Sequence, residues 1–334
     1  MNHNGALGGL AWVIGQAAVD KGDLTSSEHG LGGKAMNIAV AMARLGMSVE
    51  LITAVGNDPF GTEIRNALRR EGVGQSYVVT GGQPQRTVDS VVVEIREARG
   101  KRSVKVLNED PLYDSFGTAL VNARRLGQPR PDIIVVTFEL PDRALRHFTA
   151  ASAGSYDYLT GHNRPLLVVQ PAPARALSPT KRELLSKAQV IIPNRDEARR
   201  ILRLGGPIDP RRDVELLRSR FKAELACITL GPVGCVWATP RDRGFERGVS
   251  VKAVDAIGAS DVFTGVLATS LLGGFDQVQH GIALATVAAG LSVSRASASG
   301  AYDTAPTLAE LRHLVAKGVD DPQISSAKEA MERL

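Results

Sequence analysis

Cysteine is nearly missing from this chain: Cys227 and Cys235 are the only two among 334 residues. Two thiols make no disulfide framework, so a reducing compartment is expected, with both packed as small apolar side chains. No stretch offers the roughly 20 unbroken apolar residues of a membrane span. The early apolar run GALGGLAWVIGQAAV has no positively charged segment ahead of it and continues into a strand-like pattern, which argues against a signal peptide. A cytoplasmic protein with no membrane partner is the expectation. Basic excess is small as well, a net charge of +5 from 40 Lys and Arg against 35 Asp and Glu. Those basic residues are scattered over polar helix faces instead of forming one stripe, which suits anionic small ligands and argues against nucleic acid. Internal repeats and low-complexity linkers are also lacking.

Two familiar phosphate-binding patterns fail. The segment EHGLGGKA ends in Gly33 and Lys34, but Glu28 stands where a Walker loop needs glycine and Ala35 where it needs Ser or Thr. No G-x-G-x-x-G follows the first strand-like run. What the chain does have is alternation. Buried-strand patterns at 10–15, 48–56, 132–138, 166–170, 188–194 and 225–231 alternate with helical patterns at 35–46, 59–72, 142–153, 180–187, 195–204 and 213–222. Apolar strands separated by amphipathic helices predict an α/β fold whose mostly parallel sheet is covered on both faces. One segment breaks the rhythm: 86–110 alternates polar and apolar residues around ARGKR, an antiparallel hairpin that reads equally as a lid or an edge hairpin. The tail 319–334 reads as a polar final helix.

The stretch VDAIGASDVFTG places Gly258, Ala259 and Ser260 directly before Asp261 at the start of a helical pattern. Helix starts expose unpaired amides and the positive end of the helix dipole, and small residues let an anion approach the backbone. A carboxylate there could accept a proton from an incoming hydroxyl. A glycine-rich turn with an acidic cap explains the same residues. Gly33, Lys34 and Asn37 open a second helix and suit hydrogen bonding to a polyhydroxylated ligand.

Together these segments resemble the two signatures of the ribokinase family, the PfkB carbohydrate kinases. GGKAMNIAVAMARLG is similar to the N-terminal signature and VDAIGASDVFTG to the C-terminal one. PAPA at 171–174, PNRDEA at 193–198, TLGPVG at 229–234 and SRASASGAYDTAPTLAEL follow in family order. The resemblance runs from about residue 10 to 315, with the ribokinases as nearest members.

It implies a three-layer α/β/α sandwich over residues 10–318, with lid segments near 16–32 and 86–110, and an ATP-dependent transfer to a sugar hydroxymethyl group. By resemblance Asp261 is the general base, and the amides of Gly258, Ala259, Ser260 and Asp261 form an anion hole. Asp20, Gly33, Lys34, Asn37 and Glu139 fall on sugar-binding positions. Asn194 and Glu197, which organise Mg2+ and phosphates in the family, join Thr229, Gly231 and Gly234 as the nucleotide site. Asp255, Ile257, Ser292 and Arg295 fall near loops that hold an activating K+. A homodimer clasped through the lids is implied too.

The chain departs from the family pattern in three places. Ser260 replaces a near-universal glycine, and a positive φ there would cost roughly 1–2 kcal/mol. Ala35, Met36 and Gln16 alter the sugar loop. Only residues 21–32 separate Asp20 from Gly33, which shortens the lid. Ribose is therefore the leading acceptor, with fructose, a sugar phosphate, ketodeoxygluconate or a nucleoside as sibling substrates. A catalytically weakened nucleotide- or sugar-binding relative is the non-enzyme alternative.

Overall fold

A computed structural model describes residues 8–21, 29–81, 87, 89–93, 103–106, 130–149, 164–173, 176–297, 301–316, 322–332 and 334. The ARGKR turn, residues 22–28 of the expected lid and the end of the 142–153 helix lie outside them.

The strands are β1 (Leu10–Ile14), β2 (Ala18–Lys21), β3 (His29–Gly32), β4 (Ser48–Val55), β5 (Val78–Thr80), β6 (Asp89–Val93), β7 (Ser103–Val106), β8 (Ile133–Thr137), β9 (Leu166–Gln170), β10 (Val190–Ile191), β11 (Leu225–Thr229), β12 (Gly234–Ala238) and β13 (Arg243–Arg247). The helices are α1 (Lys34–Arg44), α2 (Pro59–Arg70), α3 (Asp142–Thr149), α4 (Pro179–Lys187), α5 (Arg195–Leu202), α6 (Pro210–Phe221), α7 (Ala259–Ser270), α8 (Val278–Val293), α9 (Leu308–Ala316) and α10 (Pro322–Met331).

Nine strands form one sheet in the order β13-β12-β11-β10-β9-β8-β1-β4-β5. Pairings from β5 through β11 are parallel, and β12 and β13 add antiparallel neighbours at the edge. The apolar strands bury both faces. On β1, Ala11 and Val13 join one core with α1, α2, α7 and α8, whereas Trp12 and Ile14 join a second core with α3, α4, α5 and α6. Helices therefore cover both sides, as in a three-layer α/β/α sandwich. Helix α10 is less polar in its setting than its sequence suggests: Ala327, Ala330 and Met331 are buried in the first core.

The hairpin strands β6 and β7 pair with β2 and β3, giving a separate four-stranded sheet in the order β3-β2-β6-β7. They are not an edge of the main sheet. The hairpin belongs to a small sheet of its own.

Cys227 and Cys235 lie on the adjacent strands β11 and β12, buried and unoxidised. Burial, and then the neighbouring Cys235 thiol, push the Cys227 thiol well above its ordinary range, so Cys227 does not read as a nucleophile.

Candidate active site

Five structures converge at the carboxyl end of the parallel strands, where open α/β sheets bind ligands. Gln16 follows β1, Glu139 follows β8, Gln170 ends β9, Asn194 follows β10 and Thr229 ends β11. The first turns of α1 and α7 close over the same edge.

Helix α7 starts without a side-chain cap. Its N-cap is Gly258, with φ 81° and ψ −9°, a left-handed conformation that suits glycine. Ser260 lies inside the helix, and the only non-glycine residues with positive φ among those described are Arg203 and Lys222. The positive φ feared at Ser260 therefore falls on Gly258 instead, where no Cβ opposes it. Not all of the expected anion-hole amides point outward. Asp261 N–H donates to Gly258 O at 2.9 Å and Ala259 N–H to Ala256 O at 3.4 Å. The amides of Gly258 and Ser260 carry no such bond, so these two are the ones open to an anion.

Asp261 is 2% exposed. Asn37 Nδ2 donates to its Oδ2 at 2.8 Å, and Gln170 Nε2 donates to its Oδ1 at 2.9 Å. Lys34 Nζ lies 3.3 Å from Oδ1, and so does Ser260 Oγ. Thus Lys34, Asn37, Ser260 and Asp261 come together as the sequence suggested, and Gln170 joins them without having been singled out. A lone polar residue closing an apolar strand, just before Pro171, was the available signal.

The turn before α1 explains why glycine is needed there. Gly33 has φ 92°, and a Cβ on it would run into the carbonyl of Gln16. This lets Lys34 N–H reach Glu139 Oε1 at 3.1 Å, while Gln16 N–H reaches Oε2 at 3.3 Å. Thr137 Oγ1 donates to Oε2 at 3.1 Å. Burial raises the Glu139 carboxyl to about 7, although the Lys34 charge and its amide oppose the rise. Burial also works against the Lys34 cation, but Asp261, Glu197 and Glu139 outweigh it and hold the ammonium above the ordinary lysine range. Asp20 sits on β2 of the small sheet with its carboxylate against Gly32, where a Cβ on Gly32 would collide with it.

A measurable consequence follows from Glu139. Its folded state holds a proton more tightly than the unfolded chain, so stability declines as pH rises from about 4.5 to about 7 and is level above. The carboxylate keeps some solvent exposure, which makes about 3 kcal/mol an upper bound. In urea unfolding at pH 5 and pH 8, Glu139→Gln should lose this component of the pH slope. Parallel pH dependence in parent and variant would rule out the raised carboxyl.

The nucleotide residues form a second cluster. Asn194 caps α5 in a reciprocal box: its Oδ1 accepts from Glu197 N–H at 2.9 Å, and Glu197 Oε2 accepts from Asn194 N–H at 2.8 Å. Asn194 Nδ2 holds the other Glu197 oxygen at 2.8 Å. Burial raises the Glu197 carboxyl, with Lys34 and the Asn194 amide opposing. Thr229 N–H donates to Pro193 O at 3.0 Å, and Thr229 bridges to Asn194. A 3-10 turn at Gly231–Val233 then leads to Gly234, whose φ of 113° and closeness to Glu246 O exclude a side chain. Asn194 and Glu197 thus cap α5, and they do so beside the Thr229–Gly234 loop. Each Glu197 oxygen holds one donor and keeps a second lone-pair direction; no group of three or more His, Cys, Asp or Glu among the described residues could form a metal cage.

The expected cation loops also meet. Val254 and Asp255 N–H both donate to Val293 O, at 2.9 and 3.2 Å. Their side chains are committed, however: Asp255 Oδ1 accepts from Ile257 N–H at 3.0 Å, Ser292 Oγ donates to Ala289 O at 2.8 Å, and Arg295 pairs with Glu310 at 2.9 Å. A monovalent cation would depend on backbone carbonyls, the donors K+ accepts.

With this geometry in hand, the relatives can be placed. The model of the pfkB family carbohydrate kinases matches residues 16–305. A ribokinase of Bacillus subtilis is 30% identical over 290 residues, covering 86% of this chain and 89% of its own. A fructokinase of Escherichia coli is 30% identical over 269 residues, covering 78% and 83%. The crystal structure of a Cryptococcus neoformans ribokinase in complex with ADP superposes with a TM-score of 0.69 at 20% identity, covering 92% of this chain and 99% of that one. The chain belongs to the PfkB family and has the ribokinase fold. It is a carbohydrate kinase, a phosphotransferase with an alcohol group as acceptor. No helix among the described residues is long and apolar enough to cross a membrane.

Proposed function

We propose that this kinase transfers the γ-phosphoryl group of ATP to a hydroxymethyl group of ribose or a closely similar sugar. The observation that carries the reading is a buried carboxylate, Asp261, at an uncapped helix start beside unpartnered polar atoms. Gln16 Nε2 and Asn37 Oδ1 are buried without a hydrogen-bond partner. Such atoms cost free energy unless a ligand satisfies them, and one donor plus one acceptor match sugar hydroxyls.

In this reading Asp261 takes the proton of the acceptor hydroxyl, and the open amides of Gly258 and Ser260 receive the phosphoryl oxygens. Phosphoryl transfer needs mainly position and charge stabilisation, so two amides, one base and the nearby Lys34 suffice. Glu139 and Asp20 accept from other sugar hydroxyls. Asn194, Thr229, Gly231 and Gly234 line the nucleotide side. Mg2+, when bound, neutralises the phosphates, and K+ at the 254–257 and 292–295 loops is the proposed activator.

Purified protein with ATP and Mg2+ should be assayed on ribose, deoxyribose, fructose, fructose phosphates, ketodeoxygluconate and adenosine, with and without K+. Ribose should give the highest kcat/KM. A clear preference for another acceptor would displace ribose, and silence throughout with ADP still bound would favour the weakened paralogue.

A further inference from the structure

We propose that Gln170 is a positioning residue for the base: it pins Oδ1 of Asp261 and thereby leaves Oδ2 as the oxygen that receives the acceptor's proton. This rests on the kinase mechanism proposed above and refines it.

The placement of Gln170 is rigid. It ends β9 in register with Thr137 of β8, and it is 2% exposed. Pro171 follows, and Ala172 N–H returns to Gln170 O at 2.8 Å, so the backbone is fixed at this point. The orientation of the side-chain amide is fixed by chemistry. Nε2 faces two acceptors, Asp261 Oδ1 at 2.9 Å and Ser260 O at 3.3 Å. Turning the amide over would set Oε1 against both oxygens, an arrangement with no proton between them. The chosen orientation leaves Oε1 buried with no partner. A residue present only to fill space would carry no such unsatisfied atom, because an apolar side chain of the same length fills it without that penalty.

The two carboxylate oxygens are therefore unequal. Oδ1 receives Gln170, Lys34 and Ser260 Oγ, which exhausts its two lone-pair directions. Oδ2 receives Asn37 alone and keeps one direction open. In the transfer, the acceptor O–H bond breaks and its proton goes to Oδ2. The freed oxygen pair forms the new bond to the γ-phosphorus, and the bond to the β-phosphate oxygen breaks with its electrons leaving on ADP. Without Gln170, Oδ1 keeps only its two 3.3 Å contacts, to Lys34 and Ser260 Oγ, so the carboxylate plane is held less firmly and can turn its open lone pair away from the acceptor.

Two variants separate donation from shape. Gln170→Met keeps the length and removes the donor. Gln170→Glu keeps the shape and sets a second carboxylate against Asp261. On whichever acceptor the parent uses, Gln170→Met should lower kcat roughly ten- to a hundredfold with KM values within about twofold, the effect of one charge-assisted hydrogen bond. Gln170→Glu should be slower still. The proposal fails if Gln170→Glu matches the parent or outperforms Gln170→Met, since shape alone would then matter. It also fails if the loss appears in the sugar KM alone, which would make Gln170 a sugar ligand. Crystal structures of both variants provide a readout free of turnover: the Asp261 carboxylate should rotate away from its parental position, and an unmoved carboxylate overturns the proposal. Should the parent phosphorylate no acceptor, the kinase reading fails, while the carboxylate position still decides the role of Gln170.

Discussion

Asp261→Asn should reduce turnover by about 10²- to 10⁴-fold, the usual range for losing a general base. Asparagine preserves the shape but has only one acceptor oxygen. Among the donors Lys34, Asn37, Ser260 and Gln170, its own NH2 finds an acceptor only if the Asn37 amide turns over to present Oδ1. The side chain cannot take the acceptor's proton. Because the nucleotide cluster at Asn194 and Thr229 is separate, ADP affinity by titration calorimetry should stay within about threefold, the scatter expected of an indirect effect. Retention of more than about a tenth of parental kcat would remove Asp261 from the role of base, since even the weakest such catalysis exceeds that factor.

The second large effect belongs to Lys34. Its side chain is 29% exposed, and its ammonium feels the charges of Asp261, Glu197 and Glu139. Lys34→Met would leave three carboxylates facing one another with no cation between them. Breaking a buried charge pair by removing one member costs about 3–5 kcal/mol, and partial exposure places this case near the lower end. The cost depends on pH in a definite direction. Burial already raises Glu139 and Glu197, and Lys34 opposes that rise. Without the lysine both carboxyls rise further, so the folded variant binds protons more tightly than the unfolded chain, and its stability falls as pH rises. Urea unfolding should therefore show a small deficit at pH 5 and one of about 3 kcal/mol at pH 8. A deficit equal at both pH values would mean that Lys34 contributes packing and little charge compensation.

Where the chain spells out contrast, its structure was legible. The runs at 10–15, 48–56, 166–170 and 225–231 became β1, β4, β9 and β11 because continuous apolar character marks a strand buried on both faces. The expected strand at 188–194 shrank to Val190–Ile191: Pro193 has no amide for the ladder, and Asn194 already caps α5. Helix α8 went unplaced for the opposite reason. VQHGIALATVAAGLSV is buried almost all round, so it has no polar face to give a helical period. Strand β13 reads RGFER, a solvent-facing edge without apolar alternation strong enough to register. In the site, Asp261, Lys34 and Asn37 were visible because small residues and a charged or polar group at a helix start form an unusual pattern. Gln170 was not, because its meaning depends on which oxygen it meets across the fold.

That dependence on distant meetings has a bearing on how the protein is made. The partners of Asp261 are Lys34, Asn37 and Gln170, separated from it by 227, 224 and 91 positions. The parallel strands β1, β4, β8 and β9 are all complete in the chain before residue 261 is synthesised. A nascent chain can thus hold these strands, with Lys34, Asn37 and Gln170, before the carboxylate that they meet exists. The cluster around Asp261 is then among the later features the chain acquires as it is made, and it reports that α1, β9 and α7 have come together.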